Sequence, residues 1–211
     1  MSLQTKLICS AATAIHSAIV THKSAIESLD QAIGDGDHYI NILRGVEAVV
    51  SMEDELMPLS ADEALNKIGM KLLSTIGGAS GPLFASFFIG MSTVAKHNGA
   101  NTPLDIAAAF AGGVQAMIKR GKAQLGQKTM LDVLIPVAHT FVLSAIENKS
   151  TAEICADIKE TADEGLEFTR DLVATKGRAA GLGERTIGHL DAGAKSCQVM
   201  INETCDLINK S

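Results

Sequence analysis

Asp30, Asp35 and Asp37 fall within eight residues, in the run Asp30-Gln31-Ala32-Ile33-Gly34-Asp35-Gly36-Asp37-His38. Carboxylates this close repel one another, and a folded chain tolerates them best when a cation shares the space. Gly34 and Gly36 let the backbone turn sharply, so the three side chains can converge. An all-oxygen donor set suits a hard divalent ion, Mg2+ or Ca2+, better than zinc. The competing reading is a solvated acidic turn between two helices. An EF-hand is excluded by its own spacing: counted from Asp35, the fifth position is Tyr39 and the twelfth is Val46, where ligands are required.

Three more glycine-bearing stretches could take part in chemistry. Gly77-Gly78-Ala79-Ser80-Gly81-Pro82 offers backbone N–H groups and a hydroxyl among small residues, which suits phosphate oxygens. It also reads as a plain helix break with proline in the next first turn. The stretch 121–127, followed by Lys128-Thr129, resembles GxxxxGK[ST], but Gln127 is an insertion and no strand precedes it. Gly181-Leu182-Gly183 lacks the third glycine of a dinucleotide fingerprint and also lacks a strand. Neither is a P-loop or Rossmann signal. The last stretch, 177–193, adds Arg178, whose guanidinium can fork onto phosphate oxygens or pair with an acid at the surface. His189 in the same stretch is given no chemical role.

The elements that must position these loops are helical throughout. Apolar spacing predicts helices over about 3–29, 38–52, 60–75, 83–97, 102–119, 128–147, 151–175 and 194–209. Ser60 with Glu63 forms a capping box, Pro103 stands in a first turn, and Pro136 should cost one internal hydrogen bond. The start of the second helix lies beside the carboxylates, where free N–H groups and the dipole favour an anion. No run alternates apolar and polar residues as a strand would. The expected fold is all-α: a single domain over residues 1–211, built as an eight-helix antiparallel barrel or bundle. The four loops fall after helices one, three, five and seven. In an up-down arrangement they share one end.

Composition narrows the function classes. The 211 residues carry a net charge of −6 with no basic stripe, which argues against non-specific nucleic-acid binding. Only 3% of residues are aromatic, so base-stacking platforms are missing. No apolar run is long enough to span a bilayer, and no signal peptide is evident. Cys9, Cys155, Cys197 and Cys205 lack metal-binding spacing and read as reduced thiols of a cytoplasmic protein. Carboxylates, glycine loops, an arginine and a helix start at one end suggest a nucleotide polyphosphate bound through metal, with phosphoryl transfer as the chemistry.

At these residues the chain resembles a known family, the nucleotide-binding L subunit (DhaL) of dihydroxyacetone kinase. The resemblance rests on Leu29-Asp30…Ile33-Gly34-Asp35-Gly36-Asp37-His38, Gly77 through Leu83, Arg120-Gly121-Lys122-Ala123 with Lys128-Thr129-Met130, and Lys176 through His189. It implies an eight-helix antiparallel barrel with the nucleotide at one end. Asp30, Asp35 and Asp37 would hold two Mg2+ ions, and with Arg178 they form the implied catalytic set. His38, Tyr39, Ile40, Asn41, Ala79 and Ser80 would meet the phosphates of ADP or ATP. Gly121 and Met130 would line the adenine and ribose side, and Arg178 with Asp191, Ala192 and Gly193 would complete the pocket.

The resemblance further implies that bound ADP is rephosphorylated by a phosphohistidine subunit, DhaM, and that the phosphate passes to dihydroxyacetone on a separate subunit, DhaK. It implies no membrane and no nucleic-acid partner, and leaves a homodimer open. Three departures stand out: Tyr39 for the usual glycine, Ile42 for methionine and Ala192 for proline. Tyr39 is expected to add a large ring beside the phosphates. The alternatives are an ATP-dependent kinase subunit for another small ketose or polyol, and a nucleotide-dependent regulatory module.

Overall fold

The computed structural model describes residues 2–210, and no strand occurs among them. Ten α-helices follow one another: α1 (Leu3–Thr21), α2 (Lys23–Ile33), α3 (His38–Val50), α4 (Glu53–Leu56), α5 (Ala61–Thr75), α6 (Ser80–Asn98), α7 (Pro103–Gly121), α8 (Leu131–Ile146), α9 (Thr151–Phe168) and α10 (Ala192–Lys210). Helices α1 and α2 are separated by His22 alone, and both pack on α3 and α10, so they act as one rod. With α4 only one turn long, eight rods remain. Each long rod packs on the next, and α10 packs back on α1, which closes the ring as an antiparallel barrel.

Local chemistry explains where the rods begin. Thr102 accepts from the Asp105 amide at 3.1 Å while Asp105 accepts from the Thr102 amide at 3.0 Å. Ser150 and Glu153 make the same reciprocal pair, and the Glu63 carboxylate reaches back to the Ser60 amide at 3.1 Å. Several bounds differ from the sequence expectation, each for a local reason. The first rod runs to Ile33, because no helix breaker precedes Gly34, and this puts Asp30 on the last turn of α2. Helix α6 starts at Ser80, since Pro82 is tolerated in a first turn. Helix α8 starts at Leu131, because Lys128 takes a left-handed conformation with φ 58°. Helix α9 gives way to a 3-10 turn at Thr169–Asp171, and a second 3-10 run covers Arg178–Thr186.

The interior is aliphatic, with Ile19, Ile26, Ile42, Ile68, Val114, Met117, Val133 and Val137 almost wholly buried. Phe87 meets Phe88 and Phe110 edge-on, at centroid separations of 5.4 and 5.3 Å. Helices α6 and α7 approach closely because neither Gly90 nor Gly113 carries a side chain: a Cβ on Gly113 would lie 2.8 Å from the Phe87 carbonyl oxygen. The short helix α4 closes the end of the barrel opposite the glycine loops, with Met52 and Leu56 buried. Leu56→Ala should therefore lower stability by about 2–5 kcal/mol, the usual cost of a core leucine. Urea unfolding checks this, and the lesion lies at the end remote from the acidic cluster.

Candidate functional site

Asp30 stands on the last turn of α2, buried, while Asp35 and Asp37 lie exposed in the turn that follows. Ligand-competent oxygens from the three carboxyl groups all lie within 4.8 Å of one another. The turn is built to bring them there. The Gly34 amide donates to the Asp30 carbonyl at 2.6 Å, and a Cβ on Gly34 would run into the Asp30 carboxyl group. Gly36 has φ 79°, a conformation L side chains rarely adopt. The His38 amide donates to Asp30 Oδ2 at 3.0 Å, so one oxygen of Asp30 is fixed by the start of α3. Asp37 occupies the N-cap of α3 but makes no side-chain cap bond, which leaves its carboxylate free to turn to the cluster. Arg178 Nε lies 2.8 Å from Asp35 Oδ2, the one ion pair to these three acids among the described residues.

All four glycine loops meet at this end. Arg178 brings the 177–193 stretch to the acidic turn. Asn41, buried on the first turn of α3, lies against Gly77: a Cβ there would sit 3.0 Å from Asn41 Oδ1. Gly121 faces Leu83 of α6, again with only 3.0 Å left for a Cβ. Met130 lies against Gly193 at the start of α10, and the Thr175 amide donates to the Gln127 carbonyl at 3.4 Å. Two helix starts open on the same region. The amides of Tyr39 and Ile40 in α3, and of Ala79 and Ser80 at α6, have no acceptor among the described residues, as first-turn geometry dictates. Such amides attract anions.

His38 is held from α10. Its Nε2 lies 2.7 Å from Ser196 Oγ, and Ser196, wholly buried, donates to the Ala192 carbonyl at 3.0 Å. With the hydroxyl proton spent there, Oγ accepts from Nε2–H, and Nδ1 is the ring atom left for other contacts. Burial lowers the His38 pKa against the opposing pull of Asp30, Asp37 and Asp35. The large ring of Tyr39 does not stand beside the phosphate-binding amides. It is buried in the core, with Lys23 Nζ 5.5 Å from its centroid. Lys23 is in the first turn of α2, seven residues or about 10 Å along the helix from Asp30, so the ring points away from the acidic cluster. The neighbouring Ile40 side chain is half exposed.

A second polar cluster lies under the 121–130 and 169–191 segments. Lys128, 1% exposed, donates to the carbonyls of Thr169 and His189, both at 2.5 Å. Asp132, wholly buried, accepts from the amides of Gly126 at 2.5 Å and Thr129 at 2.6 Å. Asp191 Oδ2 accepts from the Ala194 amide at 2.7 Å, capping α10. Desolvation lowers the Lys128 pKa and raises that of Asp132; it pushes Asp191 up to about 6, with the Asp132 charge adding to the rise. Sequence reasoning passed over Lys128, Asp132 and Ser196. Lys128 carried a signal in the GxxxxGK[ST] near miss; the other two sit inside helical patterns with nothing to mark them. His189 contributes its carbonyl, while its side chain lies exposed.

Comparison with known proteins finds relatives along most of the chain. The family model for the DAK2 domain matches residues 32–206. The chain is 38% identical over 205 residues to the ADP-binding subunit DhaL of the PEP-dependent dihydroxyacetone kinase of Escherichia coli K12, covering 95% of this chain and 96% of that one. It is 38% identical over 181 residues to the DhaL subunit of PEP-dependent dihydroxyacetone kinase 1 of Listeria innocua serovar 6a, covering 86% and 85%. A solved dihydroxyacetone kinase of C. freundii, in complex with AMP-PNP and Mg2+, shares the fold with a TM-score of 0.75 at 22% identity. That match covers 96% of this chain and 34% of the other.

The raised pKa of Asp191 has a signed consequence for stability. A carboxyl group whose folded value is about 6, against 3.8 when unperturbed, binds its proton more tightly in the folded state. Its contribution is full below about pH 4 and is lost as pH rises through 6. The stability advantage of the native chain over Asp191→Asn should therefore grow as pH falls from 7 to 4, in urea unfolding run at each pH.

Proposed function

The chain belongs to the DAK2 domain family, and from that premise we propose that it is the ADP-binding subunit of a dihydroxyacetone kinase. The observation that carries the reading is the convergence of Asp30, Asp35 and Asp37 within 4.8 Å, at the end where four glycine loops meet. The donor set fits magnesium: hard oxygen ligands, two of them exposed, on a turn whose own ion pairing is limited to Arg178. Asp30, Asp35 and Asp37 would hold two Mg2+ ions, which would supply positive charge at the nucleotide phosphates.

The remaining residues then have defined tasks. The amides of Tyr39 and Ile40, and those of Ala79 and Ser80, receive phosphate oxygens at two helix starts. Asn41 and His38 Nδ1 face the same groups. Arg178 exchanges Asp35 for the phosphates, supplying positive charge where it develops. Gly121, Met130 and the Asp191–Ala192–Gly193 turn line the adenine and ribose side. The backbone supplies most donors, so Tyr39 in place of glycine leaves the phosphate-binding amides open while its ring is stored in the core.

The acceptor belongs to a second, DhaK-type subunit that presents dihydroxyacetone, a division of labour supported by the relatives' description as ADP-binding subunits. The names of the DhaL relatives, with their PEP dependence, support a cycle in which ADP stays bound as a coenzyme and is rephosphorylated by a DhaM-type phosphohistidine protein. We assign residues 1–211 to one nucleotide-binding domain working in the cytoplasm. Four unpaired, buried cysteines support that compartment, and no helix among the described residues is long and apolar enough to cross a membrane.

Two measurements test the assignment. Asp37→Ala should weaken Mg-ADP binding by at least about tenfold, or about 1.4 kcal/mol, in titration calorimetry. Equal affinity for both proteins, or no nucleotide binding by either, would remove the site from these carboxylates. Native mass spectrometry of the untreated protein should show retained ADP; an empty protein that turns over with free ATP would favour the reading of an ATP-dependent subunit for another small ketose.

A further inference from the structure

Arg178 reaches Asp35 from an irregular segment, 172–188, that lies between α9 and α10 and contains no α-helix. Exposed as it is, the arginine is not fixed by packing of its own side chain. What fixes it is the base of the segment. There the two stems come together: the Gly188 amide donates to the Arg170 carbonyl at 2.8 Å, the Asp191 amide to Thr169 Oγ1 at 3.1 Å, and the Ala174 amide to Thr186 Oγ1 at 3.0 Å. Lys128 Nζ enters this base from a different loop. It donates to the carbonyl of Thr169 on the outgoing stem and to that of His189 on the returning stem, each at 2.5 Å, with Arg170 O at 3.5 Å.

The chemistry of that contact is demanding. An ammonium group has three donors and no acceptor, and here it faces three carbonyl oxygens from two stems. Its four-carbon stem is wholly buried, and φ 58° at Lys128 is a conformation most residues avoid. Burying a cation without a direct carboxylate partner is costly, and here Asp132 and Asp191 compensate it from a distance. A merely apolar core residue would fill the same space more cheaply. It would take from the Thr169 and His189 carbonyls the donor they share, and leave the stems joined only by the hydrogen bonds of the base.

We propose that Lys128 is a positioning residue for phosphoryl transfer: by tying both stems of 172–188 to the turn before α8, it sets where Arg178 stands over the carboxylate cluster. The role rests on the kinase-subunit reading above, since it acts only through the arginine placed at the phosphates.

The test uses the full chain reconstituted with a dihydroxyacetone-carrying partner subunit, and reads single-turnover phosphoryl transfer from bound Mg-ATP. Lys128→Met keeps the length and loses the donors. It should slow transfer at least tenfold while nucleotide affinity changes less than threefold. In an Arg178→Ala background the same substitution should slow transfer less than twofold, because the residue it acts through is already gone. Equal slowing in both backgrounds would overturn the proposal, since a general structural lesion is indifferent to Arg178. Amide hydrogen exchange gives an independent reading: Lys128→Met should speed exchange at least tenfold within 172–188 and leave the centres of α8 and α9 unchanged. Unchanged exchange in 172–188 would also overturn it. If Lys128→Met does not fold, Lys128→Gln, shorter and able to serve one stem, should give an intermediate slowing. A native chain that transfers no phosphate would sink the kinase reading instead, and the exchange result would still decide the clamp.

Discussion

Mutual repulsion among Asp30, Asp35 and Asp37 is the constraint to which the rest of the structure responds. Two like charges about 4 Å apart cost about 4 kcal/mol at the effective dielectric of a protein surface. Three such groups share 4.8 Å with one arginine. The chain lowers the cost with what it has: the His38 amide on Asp30, the start of α3 beneath Asp37, and Arg178 against Asp35. Each is a fractional or single positive charge, so together they offset the repulsion only in part, leaving a demand on the fold to keep the acids in place.

A barrel of antiparallel rods meets the mechanical side of that demand. Because every second connection falls at the same end, the four loops gather without a long crossover, and the opposite end can be closed by α4 and its buried Leu56. The closed ring also packs each rod against a neighbour on either side. Asp30, on the last turn of α2, and His38, on the first turn of α3, therefore stand at a distance fixed by helix packing, with only four loop residues between the two helices. The acidic turn inherits its geometry from the rods, and the loops inherit theirs from one another.

That difference explains what could be read from the sequence. The rods follow from apolar periodicity, and the acidic turn from residue type and spacing, so the architecture and the carboxylate cluster were legible before any coordinates. Helix ends were less so. Pro82 and Gly81 look like a break and are in fact the first turn of α6, while Lys128 looks like the start of a helix and is a left-handed residue before one. The direction of the Tyr39 ring depends on where Lys23 and the core lie, and Ser196 is marked only by its contact with His38 across 158 positions of chain. Interactions of that kind have no local signature. Residue type announces what a side chain can do, and only the packing of distant elements decides which way it faces.

The contrast between the two polar clusters makes the same point energetically. The carboxylate turn keeps two of its acids in water, which screens their repulsion. Lys128 and Asp132 are taken out of water altogether, and their shifted pKa values record the cost. Buried charges are weak contributors to stability, and well-packed apolar groups often do better. They do, however, supply direction, which apolar contacts do not: an ammonium that must face three carbonyls allows few relative positions of the segments that carry them. The two irregular segments that it joins gain a defined relative arrangement, and that is where the structure accepts the cost.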